Sequence, residues 1–159
     1  MNITLYTVGK IKENFYRQAI EEYTKRLGRY CRLRIVEVAD EKTPDHASPA
    51  VEAQIRQKEG ERLLKQIKDG TYLVALAIEG KKMDSIAFAE KIQQLGLHGT
   101  SEIGFVIGGS LGLSDSVLSR ADMKLSFSDL TFPHQLMRVI LLEQIYRAYR
   151  IISNEPYHK

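Results

Sequence analysis

The sequence predicts an α/β fold, a mainly parallel sheet with helices on both faces, and three observations predict it. β-prone runs and helical periodicities alternate along all 159 residues. Two of the runs, 71–78 (TYLVALAI) and 102–107 (EIGFVI), are continuously apolar, as strands buried on both faces of a parallel sheet are. Both run into glycine, at Gly80 and at Gly108 with Gly109. Such alternation implies right-handed crossovers, with ligands expected beyond the carboxyl ends of the central strands.

Residues 3–8 form a short β-prone run closed by Gly9. Residues 11–29 then read as a helix, because Ile11, Phe15, Ala19, Ile20, Tyr23 and Leu27 recur at three- and four-residue spacing. Leu33, Ile35, Val36 and Val38 make a second strand. The segment 40–49 carries two prolines and turn-forming residues, which predicts a mobile connection, and a polar helix follows over about 51–68 until Asp69 and Gly70 stop it. The strand at 71–78 ends at Glu79 and Gly80. Asp84 caps a helix whose apolar positions Ile86, Phe88, Ala89, Ile92 and Leu95 lead to Gly96. After the strand at 102–107, a short helix follows Ser114, a last strand covers 122–127, and a loop spans 127–132. Pro133 opens the final helix, to about Ile152, since a first-turn N–H lacks an intrahelical partner in any case.

With 43% hydrophobic residues, 11 Gly and only 4 Pro, the chain reads as a single domain over 1–159, without repeats or low-complexity segments. No stretch approaches the roughly 20 apolar residues needed to cross a bilayer. Residues 1–8 lead straight into Gly9 and Lys10 without a signal-peptide pattern, so a cytoplasmic protein is expected. Cys31 is the sole cysteine, which excludes an intrachain disulfide and a thiolate metal cluster. His46, His98, His134 and His158 have no metal-ligand spacing, there is no HExxH or paired-carboxylate signature, and Ser110 and Ser114 lack a GxSxG elbow. Metal catalysis and serine hydrolysis are therefore not expected. The formal charge is +3, but residues 10–34 hold eight cations against three acids, a local excess of five. Such a run attracts phosphates, and it equally suits a solvated helix face.

Three segments could carry chemistry. The first is residues 107–112 (IGGSLG), a glycine-rich turn after a buried strand, where missing Cβ atoms let backbone groups approach a ligand. It lacks the GxGxxG spacing and the Gly-Lys-Ser/Thr of phosphate-binding loops, and an ordinary tight turn would look the same. The second is residues 127–135 (FSDLTFPHQ), whose backbone could read an adenine edge while Phe127 or Leu130 packs on its face. Ser128, Asp129 and Thr131 are also good capping residues. The third is the final helix and tail. Residues 136–142 (LMRVILL) are apolar except for Arg138, so the helix is either central to the core or partly covered by a second subunit, and the second option predicts a homodimer. Beyond it, Tyr146, Arg147, Tyr149, Arg150 and the end EPYHK offer planar and cationic groups suited to phosphates and unstacked bases, or simply a snorkelling helix end.

Taken together, FVIGGSLGLS (105–114), LSFSDLTFPHQLMRVILLEQIYRAYRI (125–151), EPYHK (155–159) and the start TLYTVGKIKENFYRQAIEEYTKRL (4–27) resemble the 23S rRNA pseudouridine N3-methyltransferases of the SPOUT superfamily. The resemblance spans the whole chain. It implies a C-terminal trefoil knot, in which the end of the chain threads a loop, a feature that ordinary topology rules would not yield. It also implies S-adenosyl-L-methionine (SAM) as cofactor, held by Leu76, Gly108, Phe127, Ser128, Asp129, Leu130, Thr131 and Phe132. A homodimer without a separate RNA-binding domain, acting on 23S rRNA in the assembled ribosome, is implied as well. N3 of pseudouridine is a weakly acidic imide that must lose a proton, so His158 is expected in proton transfer, Arg138 as charge stabiliser and Tyr157 in stacking or hydrogen bonding. His134 is the rival base, or else fixes the cofactor loop. A non-catalytic RNA-binding protein on the same fold is the alternative function.

Overall fold

In the computed structural model, which describes residues 1–159, ten elements alternate along the chain. β1 (Asn2–Val8), β2 (Arg32–Val38), β3 (Tyr72–Lys82), β4 (Glu102–Val106) and β5 (Met123–Ser126) form one sheet in the order β2-β1-β4-β3-β5. Every neighbouring pair is parallel, as the apolar runs predict. α1 (Asn14–Leu27), α2 (Pro49–Gln66), α3 (Ser85–Leu97) and α4 (Asp115–Arg120) connect successive strands, and α5 (His134–Ile152) follows the last.

Side chains alternate across a strand, so each strand feeds two cores. Ile3 and Leu5 of β1 pack with Leu27 of α1, Phe88 and Ile92 of α3 and Leu141, Leu142 and Ile145 of α5. Tyr6 and Val8 face the other way, onto Leu63 of α2 and Val117 of α4. Helices thus cover both faces. Leu141, Leu142, Ile145 and Ala148 are fully buried and α5 touches both α1 and α3, so the oily final helix is central to the core. Leu136, Met137, Val139 and Ile140 remain half-buried.

The helix starts follow their capping chemistry. Asp84 Oδ1 accepts from the Ala87 N–H at 2.7 Å, Ser114 Oγ from Val117 at 3.3 Å, and Ser48 Oγ from Val51 at 3.2 Å ahead of Pro49. Two elements depart from the sequence reading. α1 begins at Asn14, and Phe15 is 63% exposed although Ile11 is buried. Ile11 precedes the helix, so the four-residue step from Ile11 to Phe15 crosses a non-helical turn and does not keep both on one face. β3 does not stop at Glu79 and Gly80 but runs on to Lys82 along β5. Leu125 registers with both Leu76 and Lys81, the intervening residues forming an irregularity. A Cβ on Gly80 would stand 2.7 Å from the Lys124 carbonyl carbon, so only glycine allows the two strands to press together there.

Candidate active site

Because all five strands are parallel, their carboxyl ends share one edge of the sheet. β4 leads to Gly108, β3 carries Leu76 and β5 leads to Phe127, and β3 lies between the other two. At about 4.8 Å between neighbouring strands, the ends of β4 and β5 stand roughly 10 Å apart, a span that one nucleoside bridges. Leu76 registers with Leu125 and Ala75 with Val106, which puts the three segments at one level.

The loop after β5 is held by its own short side chains. Ser126 Oγ donates to the Ser128 carbonyl at 3.1 Å, and Ser128 Oγ accepts from the Leu130 N–H at 3.0 Å. Asp129 meets Lys82 Nζ at 2.6 Å, an exposed pair that fixes little by itself. No backbone-to-backbone hydrogen bond involves residues 128–132, so the amides of Ser128, Asp129, Thr131 and Phe132 point to no partner in the chain. Leu130 is 70% exposed and Thr131 is exposed, whereas Phe127 and Phe132 are half-buried. Unpaired backbone groups beside apolar side chains match a nucleoside, which offers hydrogen-bonding edges and flat faces.

The glycine turn has a different explanation from the one its composition suggests. A Cβ at Gly108 would lie 2.5 Å from the Gly112 carbonyl carbon, and Gly109 bridges to Gly112, whose φ is +86°. The missing Cβ at Gly108 admits the chain itself. Beneath the turn stands Glu59, 5% exposed, whose Oε2 accepts from the Glu41 N–H at 3.0 Å. Burial raises its pKa first, and the Glu41 hydrogen bond opposes this. Nothing local in the polar helix marks Glu59 for that post.

A cavity of about 490 Å³ adjoins the loop, on the side covered by α3 and α5. It brings together Phe127, Phe132 and His158 with Met83, Phe88 and Gln144. Leu76, Gly108 and residues 128–131 lie outside its lining. The tail folds back along α5 to reach it. Glu155 accepts from Tyr30 at 2.8 Å and from Arg150 at 2.7 Å, which anchors the turn. Tyr157 Oη donates to Glu143 at 3.0 Å, its ring meets Tyr146 edge-on at 5.0 Å, and the Arg147 guanidinium sits 4.8 Å over it. Burial first, and the Glu143 hydrogen bond second, push the Tyr157 phenol up to about 12, so it stays a donor at neutral pH. Arg147 is held by Glu143 and contacts His158 Nδ1 at 3.0 Å. Since arginine only donates, Nδ1 is the acceptor in this contact.

Arg138 stands elsewhere. It is 1% exposed, and donates to Glu37 at 2.7 Å and to the carbonyls of Val8 and Gly9 at 3.0 and 2.8 Å. Within one subunit it braces the start of α5 to the ends of β1 and β2, outside the lining of the cavity. His134, one turn earlier, has a buried Nδ1 without a partner. Burial and then the Arg138 charge lower its pKa. Of the residues around the tail, the sequence reading named Tyr157, His158 and Arg147 but missed Glu143, which holds two of them. The four-residue spacing of Glu143 and Arg147 is the one local signal for it. No group of three or more His, Cys, Asp or Glu side chains is placed to hold a metal ion, and no helix is long and apolar enough to cross a membrane.

Known proteins resemble this chain along its length. A family model described as a predicted SPOUT methyltransferase matches residues 1–158. A protein of Bifidobacterium adolescentis named ribosomal RNA large subunit methyltransferase H is 67% identical over 159 residues, covering 100% of both chains. One of the same name from Clostridium tetani is 59% identical with the same coverage. In fold, the chain is similar to a probable methylase family protein of Haemophilus influenzae, with a TM-score of 0.55 at 15% identity, covering 99% of this chain and 70% of that one. A family match over nearly every residue, on a five-stranded parallel sheet, shows that the chain belongs to the SPOUT methyltransferase family.

Proposed function

We propose that the protein is a SAM-dependent methyltransferase that modifies N3 of a pseudouridine in 23S rRNA of the assembled ribosome, working in the cytoplasm as a homodimer. The observation that carries the cofactor reading is the set of unpaired amides at 128, 129, 131 and 132, on a loop that follows β5 beside Leu76 and two strands from Gly108. Relatives at 59 and 67% identity, named for large-subunit rRNA methylation, support the substrate. The half-buried row of Leu136, Met137, Val139 and Ile140 supports the dimer. Membership of the SPOUT methyltransferase family supports a C-terminal trefoil knot.

SAM, when bound, supplies an electrophilic methyl group on a sulfonium sulfur. Leu76, Gly108 and residues 127–132 would hold it, with the loop amides free to meet hydrogen-bond acceptors of the adenine and Phe127 offering an apolar side chain. Methyl transfer needs an aligned nucleophile within about 3–3.5 Å, so positioning supplies much of the rate. The target N3–H gives its proton to His158 at Nδ1, the atom that Arg147 otherwise occupies. Arg147, released, faces the negative charge that develops on the imide oxygens. Tyr157 remains a phenol and donates or stacks, with Glu143 orienting both it and Arg147. Arg138 acts as a positioning residue, setting the start of α5 and hence the loop before it.

Ribosomes from cells lacking the protein test the reading. Incubated with it and SAM, they should gain one methyl group on one pseudouridine of the large-subunit RNA, mapped by mass spectrometry. Absence of transfer, or transfer to another nucleotide, would discard it.

A further inference from the structure

Phe15 breaks the pattern of its own helix. On the first turn of α1 it is 63% exposed, and the Tyr16 ring lies 4.3 Å from it, centroid to centroid, at 52°, so the two form one aromatic surface. Cations flank it in the sequence. Lys10, Lys12 and Arg17 are exposed and none is within ion-pair distance of a carboxylate, whereas Arg26 and Arg29 of the same basic run pair with Glu22 and Glu155. Arg17 is steadied by its Nε donating to the Ile11 carbonyl at 2.7 Å. Glu13 is the single acid among residues 9–18 and is half-buried.

The surface also has a telling position. It follows the carboxyl end of β1, and β1 lies beside β4 in a parallel sheet, so it shares the edge that carries Gly108 and the loop 127–132. We infer that Phe15 and Tyr16 are a stacking platform for an unstacked base of single-stranded RNA, with Lys10, Lys12 and Arg17 on its phosphates. This deepens the RNA reading proposed above and rests on it. Stacking on an aromatic ring tolerates any base, and unpaired cations beside it track the backbone. A second copy of the chain is the poorer occupant. A two-fold contact centred on Phe15 would bring the same three cations of both copies together.

The test uses the full chain with two labelled probes, decauridylate and a ten-unit abasic ribose-phosphate strand. Wild-type protein should bind decauridylate more tightly. Phe15→Ala should weaken decauridylate about tenfold or more and leave abasic binding unchanged. Phe15→Leu, apolar but without a π-face, should behave like the alanine variant, and Phe15→Trp should restore binding. Lys12→Gln should lower the slope of log affinity against log salt by about 0.7. Equal binding of both probes by the wild type, or an alanine variant that binds decauridylate as tightly, overturns the platform. A change in oligomer mass on sedimentation of Phe15→Ala also overturns it, by assigning the surface to a contact between copies. Failure of methyl transfer to ribosomes, with the Phe15 effect intact, would instead sink the enzymatic reading alone.

Discussion

His134 and Arg138 stand one turn apart at the start of α5. Arg138 donates to Glu37 and to two backbone carbonyls. His134 is pushed toward the neutral ring by burial and by the Arg138 charge, against the opposing pull of Asp40 and Glu13. A lowered folded-state pKa means that the unfolded chain binds the proton more tightly. The group's contribution to stability is therefore complete above the unfolded value of about 6.5 and declines as pH falls from there through the lowered folded value. Urea midpoints measured from pH 7.5 to 5 should show this decline, at no more than about 1.4 kcal/mol per pH unit, and His134→Gln should flatten it. At the other end of α5, His158 reaches the cavity beside Phe127 and Phe132 with its Nδ1 against Arg147. His158→Ala is expected to slow single-turnover methylation by about 10²–10⁴, the range for a lost proton-transfer group, while calorimetry finds SAM affinity unchanged. The sequence pointed to His158 and Tyr157 through resemblance. It could not point to Glu143 as the partner of Tyr157, because that contact exists only once Glu155 has turned the tail back onto Arg150 and Tyr30.

Elements were legible where periodicity and capping agree. The runs 71–78 and 102–107 have no polar face, and both became interior strands with neighbours on each side. Asp84 and Ser114 stand where their helices begin. Reading failed where a local rule met a tertiary demand. Glu79 and Gly80 look like a strand end, yet β3 continues because β5 lies against it and Gly80 leaves room for the Lys124 backbone. Ile11 and Phe15 look like one helix face, yet the helix starts after the first of them. The β3–β5 contact yields a direct expectation. Gly80→Ala puts a methyl group 2.7 Å from a carbonyl carbon that cannot rotate away, so it should cost about 1–3 kcal/mol in urea unfolding. The same change at Gly70, which has a φ of +83° but open space, carries conformational strain alone.

For the whole molecule, a parallel sheet gathers at one edge the segments that the sequence scatters over 120 residues: Gly9 to Phe15, Leu76, Gly108 to Gly112 and Phe127 to Phe132. Each segment alone has an ordinary explanation, as a turn, a cap or a helix start. Their shared edge supports the proposed reading of the loop 127–132 as a cofactor clamp, since its amides at 128, 129, 131 and 132 bond to nothing in the chain. Leu136, Met137, Val139 and Ile140 of α5 are half-buried, and Lys10, Lys12 and Arg17, around the start of α1, are exposed without an acidic partner. Amide hydrogen exchange with and without SAM reads the clamp directly. The free protein should exchange rapidly at 128, 129, 131 and 132, and saturating SAM should slow these amides and those of 108–112 together. Unchanged exchange at 128–132 in the presence of bound SAM, with protection appearing elsewhere, would contradict the account.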